Sequence, residues 1–307
     1  MNKKFDVTGI GCAAWDLTGT VKNYPLPGDK SPMKNFEEHP GGQVATALTS
    51  VSRLGGRTAI IEISGDDYYG ERIRESLAHE GIDITCLIKD QGKTSLLSFC
   101  ACLEDKGERA IFFTGGTKRF LEPEDISSDL IMSSKSILID NYHGRASVFA
   151  AFLAGKAGIP AVTDIERDSP WNDELFRTGT HHIIPCHYLL EYTGEKDAEE
   201  ALRILQKNYH SELLVATMGE KGSIAWNGKE FFYESAYMVE PVVDTTGAGD
   251  VFHGTFAFGL TLGYDIATNL KFASLVAGLK CRAQGGQKGI PYARELKDLW
   301  EYPLSSE

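Results

Sequence analysis

The sequence contains no run near the ~18 apolar residues that a membrane-spanning helix requires. Its charged start, residues 1–6, leads into a short apolar stretch broken by Gly9 rather than into a signal-peptide core. Both absences argue against a membrane partner and for a cytoplasmic setting. The six cysteines, Cys12, Cys86, Cys100, Cys102, Cys186 and Cys281, include no C-x-x-C pair and read as buried thiols of a reducing compartment. Basic charge is also short: 31 Lys and Arg stand against 43 Asp and Glu, a net charge of −12. A chain of that sign repels phosphate backbones, so nucleic-acid binding by general electrostatics is excluded. One locally positive site can still take a phosphorylated small molecule. G-x-x-x-x-G-K-[ST] is missing, which removes P-loop phosphate chemistry. The cluster His181-His182-Ile183-Ile184-Pro185-Cys186-His187 lies on an apolar, strand-like run without a second ligand pair at metal-binding spacing, so a structural or surface role is expected.

What is present is ordinary globular composition: 307 residues, 42% hydrophobic and 24% charged, enough to build a core without staples. Apolar runs at 5–12, 58–63, 95–103, 110–113, 136–140, 161–165, 182–185, 213–218 and 223–226 read as strands. Between many of them apolar residues recur at three-to-four spacing, as in Val44, Ala47, Leu48, Val51 and Leu54, or Ala146, Phe149, Ala150 and Leu153. That rhythm predicts an α/β fold with a doubly wound, mostly parallel sheet and helices on both faces. Two segments break it. Residues 16–38 hold Pro25, Pro27, Gly28 and Pro32 and cannot be helix, and residues 95–113 read as two strands around the hairpin turn Asp105-Lys106-Gly107. These predict a small β lid formed by parts of 16–38 and 95–120. Repeats, low-complexity segments and linkers are absent, which favours one body plus a lid over two full domains.

Gly9-Ile10-Gly11-Cys12-Ala13-Ala14 follows a strand and fits the dinucleotide fingerprint. The fingerprint works only where a helix opens to hold the pyrophosphate. Here Trp15-Asp16-Leu17-Thr18-Gly19-Thr20 and a proline-rich stretch follow, so NAD binding is not expected.

Two glycine clusters have the right context. Pro40-Gly41-Gly42-Gln43 leads into the helical pattern from Val44 to Leu54; it is either a helix-start turn or a place where backbone amides approach a ligand. Asp244-Thr245-Thr246-Gly247-Ala248-Gly249-Asp250 runs into the apolar helix pattern Val251-Phe252-His253-Gly254-Thr255-Phe256. Small residues ahead of a buried helix place free N–H groups and the positive dipole end together, which makes an anion hole. Asp250 would then stand on the first turn. Capping alone accounts for one carboxylate there but not for the whole Gly-Ala-Gly-Asp run.

At these residues the chain resembles the ribokinase-like, or PfkB, family of sugar and nucleoside kinases. Asp-Thr-x-Gly-Ala-Gly-Asp is complete at 244–250, Gly41-Gly42 fits the family's N-terminal motif, and the likeness runs end to end as one ribokinase-like domain over residues 1–307. Gly9-x-Gly11 with Asp16 looks like the first strand and its sugar-contacting Asp. Thr217-Met218-Gly219-Glu220-Lys221-Gly222 looks like the loop beside the nucleotide, and residues 272–281 look like the helix walling the adenine. Val276-Ala277-Gly278-x-Lys280-Cys281 with Gly285-x-x-x-Gly289-Ile290 gives a ketohexokinase-like flavour.

The resemblance implies ATP-dependent phosphorylation of a hydroxymethyl group of a sugar. Asp250 would be the general base, and the amides of Gly247, Ala248 and Gly249 would form the anion hole. Asp16, Gly41, Gly42, Gln43 and Thr46 would bind substrate. Arg109 either points from the lid to the substrate or is solvated at the surface. Thr217, Gly219, Glu220, Gly222, Ala277 and Cys281 would line the nucleotide site. Mg²⁺ is implied with ATP, K⁺ near the last glycine loop is left open, and a homodimer through the lid is a family habit. Two positions depart from the pattern. Thr46 stands where the family has Asn, which puts the identity of the sugar in question. No Asn-x-x-Glu precedes Tyr192-Thr193-Gly194, where Pro185-Cys186-His187-Tyr188 stands, so the carboxylate ordering Mg²⁺ is unassigned among Asp164, Glu166 and Glu220. The competing readings are a nucleoside kinase, with Phe99, Phe112 and Phe113 as a base platform, and a non-catalytic sugar- or nucleotide-sensing protein. Asp250 argues against the latter, because a sensor has no use for a positioned base.

Overall fold

The computed structural model describes residues 3–104 and 109–304. The chain runs through β1 (Phe5–Ile10), β2 (Ala14–Val21), β3 (Met33–Gly41), α1 (Gln43–Arg53), β4 (Thr58–Gly65), α2 (Tyr68–His79), β5 (Asp83–Asp90), β6 (Leu97–Leu103) and β7 (Arg109–Thr114). Next come α3 (Ser128–Met132), β8 (Ser134–Asp140), α4 (Arg145–Lys156), β9 (Ala161–Asp164), α5 (Asn172–Thr178), β10 (His181–Pro185), α6 (Cys186–Thr193) and α7 (Ala198–Tyr209). The last elements are β11 (Leu213–Thr217), β12 (Ser223–Trp226), β13 (Phe231–Glu234), α8 (Ala248–Thr261) and α9 (Ile266–Lys280).

Nine strands form the main sheet in the order β13-β12-β11-β10-β9-β8-β1-β4-β5, parallel except at β11–β12 and β12–β13. Its strands are apolar on both faces, as a doubly covered sheet requires. Ile60, Leu138, Ile183 and Val215 pack with α1, α8 and α9, whereas their neighbours Ile61, Ile139, Ile184 and Leu214 pack with α4, α5, α6 and α7. The predicted α/β architecture is thus the observed one. β5 and β13, the two edges, were not foreseen; each mixes polar and apolar residues without a long buried run.

The lid is a separate sheet of order β3-β2-β6-β7. Proline-rich sequence excluded helix there, and β3 accommodates Pro40 because it is an edge strand. The predicted strand from residue 95 begins at Leu97, since Thr94 and Ser95 hydrogen-bond outside the lid sheet. Ser95 Oγ donates to Asp67 Oδ1 at 2.7 Å and accepts from the Gly65 N–H at 2.9 Å, and Thr117 N–H donates to Thr94 O at 3.1 Å. The hairpin turn 105–107 lies outside the described residues, as does the side chain of Arg109, whose backbone opens β7.

Just past the lid, at Lys118, the chain is anchored in the core. Lys118 Nζ donates to Glu62 Oε1 at 2.8 Å, and His143 Nε2 meets Glu62 Oε2, with all three side chains nearly inaccessible. Leu121 N–H donates to His143 Nδ1 at 3.0 Å. That nitrogen is therefore an acceptor, so Nε2 carries the proton that goes to Glu62. No helix opens at the Gly9 fingerprint: β2 begins at Ala14. Among the described residues no helix is long and apolar enough to cross a membrane.

Candidate active site

The carboxyl ends of β1, β8 and β9, the start of α1 and the start of α8 converge beneath the lid. Parallel α/β sheets expose their ligand crevice at this edge, where strand ends and helix N-termini meet. α8 begins after Gly247, whose φ of 77° is left-handed, and a Cβ there would stand 2.8 Å from Gly286 O. Only glycine fits that backbone and that approach. The amides that follow lie ahead of any helical carbonyl that could accept from them. One of the three expected donors is already used, because Ala248 N–H donates to Thr245 O at 3.2 Å. That leaves Gly247 and Gly249 as the candidate donors at this helix start.

Asp250 stands on this first turn, partly buried. Burial, the charges of Asp164 and Glu166, and to a lesser degree Asp16 push its carboxyl well above the usual carboxylate range, while His253 opposes them. Asp164, the last residue of β9, is raised in the same way by burial, Glu166 and Asp140, against Gln43 and Arg167. Gln43 Nε2 donates to Asp164 Oδ2 at 3.1 Å. The other oxygen, Oδ1, is buried without a hydrogen-bond partner among the described residues. His253 Nε2 lies 3.4 Å from it but engages Ile183 O at 3.1 Å. His253 Nδ1 meets Gly249 O at 2.7 Å, so this imidazole ties the first turn of α8 to β10.

On the lid side, Asp16 projects from β2. Ser98 Oγ donates to its Oδ1 at 2.6 Å, yet burial still raises the carboxyl against Ser98 and His39. Gly41 is required beside it, since a Cβ there would fall 2.0 Å from Asp16 Oδ2. Gly42, at φ 91°, lies against the backbone of Cys12 and Ala13. His39 of β3 is buried and lies against Gly285, while Lys288 Nζ sits 3.6 Å from Glu37 Oε2, so β3 meets the C-terminal glycine loop. Thr46 is placed differently from a side chain open to substrate: it is 1% exposed, and its hydroxyl accepts from Gln287 Nε2 at 3.3 Å.

A cavity of about 660 Å³ lies on the other side of the α8 N-terminus, within the size range of small-molecule sites. Thr217, Gly219, Glu220, Gly222, Ala277 and Cys281, the six residues expected at the nucleotide, all line it. Its end is formed by Ala248, Gly249 and Phe252, so it abuts the turn that bears Asp250. Sequence reasoning missed the third wall, the segment with Tyr237, Met238, Val239 and Val242, which carries no motif. It also missed His253 and His39, whose partners come from other elements.

In the histidine run 181–187, His181 and His182 are structural and His187 is exposed. His181 and His182 are buried in β10, where burial lowers them to about 4 and about 3, and their Nδ1 atoms meet Thr180 and Thr163 hydroxyls. Among the described residues no three His, Cys, Asp or Glu side chains are grouped to hold a metal by themselves.

The pattern of the pfkB family of carbohydrate kinases matches residues 4–293. The 5-dehydro-2-deoxygluconokinase of Bacillus subtilis (strain 168) is 27% identical over 97% of both chains. The ribokinase of the same organism is also 27% identical, over 94% of this chain and 97% of that one. Among solved structures, Arabidopsis thaliana ribokinase complexed with ribose and ATP superposes with a TM-score of 0.86 at 21% identity, covering 99% of this chain and 100% of that one. These relatives are gluconate-type and ribose kinases rather than ketohexokinases.

Proposed function

Since the chain belongs to the pfkB family of carbohydrate kinases, we propose that it transfers the γ-phosphoryl group of ATP to a hydroxymethyl group of a sugar held between Asp16 and Asp250. The observation that carries this reading is the junction at the α8 N-terminus. One side of that turn is the end of the nucleotide-sized cavity, and the other is the acidic, lid-covered crevice.

Phosphoryl transfer asks the protein for alignment, charge stabilisation and a base rather than for covalent chemistry. Asp250 takes the proton from the attacking hydroxyl, and its raised carboxyl makes it a better base than an exposed Asp. The Gly247 and Gly249 amides face the charge growing on the transferred group, already fixed by the turn. Asp16, oriented by Ser98, accepts hydrogen bonds from sugar hydroxyls, and the apolar wall of Tyr237, Val239 and Ala277 suits an adenine. The lid excludes water that would compete for the phosphoryl group.

A divalent cation suits the same residues. Asp164 Oδ1 has no hydrogen-bond partner among the described residues, and Asp164 and Asp250 repel each other while buried. Asp164 and Glu166 would be the side chains to hold Mg²⁺, in place of the missing Asn-x-x-Glu carboxylate; Glu220 is exposed at the nucleotide cavity. Bound there, Mg²⁺ supplies neutralisation of phosphate charge.

The name of the Bacillus subtilis 5-dehydro-2-deoxygluconokinase makes an oxidised sugar acid the first acceptor to test. Arg167 supports that choice. It follows Asp164 and Glu166, influences the Asp164 carboxyl, and has no carboxylate within salt-bridge distance among the described residues. Asp16→Ala is expected to raise KM for the sugar by about 10- to 100-fold, the value of a lost charged hydrogen bond or two, with little change in KM for ATP. Steady-state kinetics with each substrate varied in turn decide this, and parallel rises in both constants would remove Asp16 from the sugar site.

A further inference from the structure

The phosphate-gripping turn contains a charge of the wrong sign. Asp244 accepts the Thr246 N–H on Oδ1 at 2.8 Å and the Gly285 N–H on Oδ2 at 2.8 Å. Burial alone would raise its carboxyl, but these N–H groups and Lys280 hold it below the ordinary range, so it is an anion close to amides that must receive another anion. Two such charges repel unless something cancels the first.

The cancelling group is Lys280, the last residue of α9. Its side chain is fully buried, and Nζ donates to Asp244 O at 2.8 Å. The neighbouring Cys281 O accepts from the N–H groups of Val243 at 2.8 Å and Asp244 at 3.3 Å, so the end of α9 grips the turn twice. The same turn rests on Gly286 through Gly247. A buried ammonium is costly, and an apolar side chain of equal volume would serve packing as well or better. Its retention here is explained by charge, because it leaves the Asp244 turn neutral and the N-terminal field of α8 undiminished.

We infer that Lys280 is a positioning residue for phosphoryl transfer: a built-in cation that holds the Asp244 turn and cancels its carboxylate, so that the Gly247 and Gly249 amides face the phosphate without a dissociable monovalent cation. The inference rests on the kinase reading above and extends it to a group that touches neither substrate.

The test is turnover with Mg·ATP and an accepted sugar, measured in choline, sodium and potassium salts. The wild type is expected to run at the same rate in all three. Lys280→Met, which keeps the volume and removes the charge, is expected to lose about 10- to 100-fold in kcat, as is usual for partners that orient a reacting group. Its KM for sugar should stay near the wild-type value, and potassium or methylammonium should restore part of the rate. A wild type that needs potassium overturns the inference, as does a folded Lys280→Met enzyme with unchanged kcat or one whose loss no cation relieves. Should Lys280→Met fail to fold, the wild-type salt comparison decides by itself. A wild type that releases no sugar-dependent ADP in any salt would instead sink the kinase reading.

Discussion

Asp250→Asn is expected to lower kcat by about 10²- to 10⁴-fold, the range that a positioned general base supplies, while ATP still binds. Asparagine keeps the size and the place on the first turn of α8 but accepts no proton. The nucleotide cavity is lined by Ala248, Gly249 and Phe252 at this point and not by the Asp250 carboxyl, so the dissociation constant for ATP should change little. The wild-type pH profile is a second readout. Burial and the charges of Asp164 and Glu166 raise Asp250, so its proton is lost only well above the usual carboxylate range. Below that point the base is protonated and idle; kcat/KM therefore rises with pH through the raised value. The residual rate of Asp250→Asn should lack this limb. Full activity in the variant, or an unchanged acid limb, would assign the base elsewhere.

Gly247→Ala is expected to cost about 10²- to 10³-fold in kcat, comparable with the loss of an oxyanion-type donor. The native φ of 77° disfavours any residue with a Cβ by about 1–2 kcal/mol. That Cβ would stand 2.8 Å from Gly286 O, a backbone atom that cannot rotate away. The turn must shift, and the Gly247 and Gly249 amides shift with it. The bulk of the protein is untouched, so thermal unfolding should move far less than the rate. A variant with wild-type kcat would show that these amides carry none of the transition-state charge.

The local parts of this site were legible in the sequence because their chemistry is local. An α/β rhythm of short apolar runs defined the sheet, and Gly-Ala-Gly-Asp ahead of an apolar helix marked the turn from which α8 starts, with Asp250 on it. Gly41-Gly42 reads either as a helix-start turn or as amides approaching a ligand; α1 does begin at Gln43 directly after it, and Gly41 lies against the Asp16 side chain. Contacts between distant elements were not legible. Asp164 gains its importance from Gln43, 121 positions earlier, and from His253 on α8. The Tyr237–Val242 wall of the nucleotide cavity has no motif, since any apolar loop at that place suffices. Ala248 looked equivalent to its glycine neighbours, yet its N–H is spent inside the turn. Thr46 occupied a motif position, but its hydroxyl turned to Gln287. Lys280 read as one letter of a helix pattern until its ammonium was found at Asp244.

The most direct measurement of the central claim is ADP release from Mg·ATP across a panel of sugar acids, ketoses, aldoses and nucleosides, with product mass determined for any acceptor that responds. Nucleosides belong in it because Phe112 and Phe113 stand exposed on β7. The geometry of Asp16, Asp250 and the amide turn predicts that one sugar class releases ADP in step with a monophosphorylated sugar, and that Asp250→Asn abolishes the signal. A response confined to nucleosides would contradict the sugar acceptor. Silence across the panel, with ATP still bound, would contradict catalysis at Asp250.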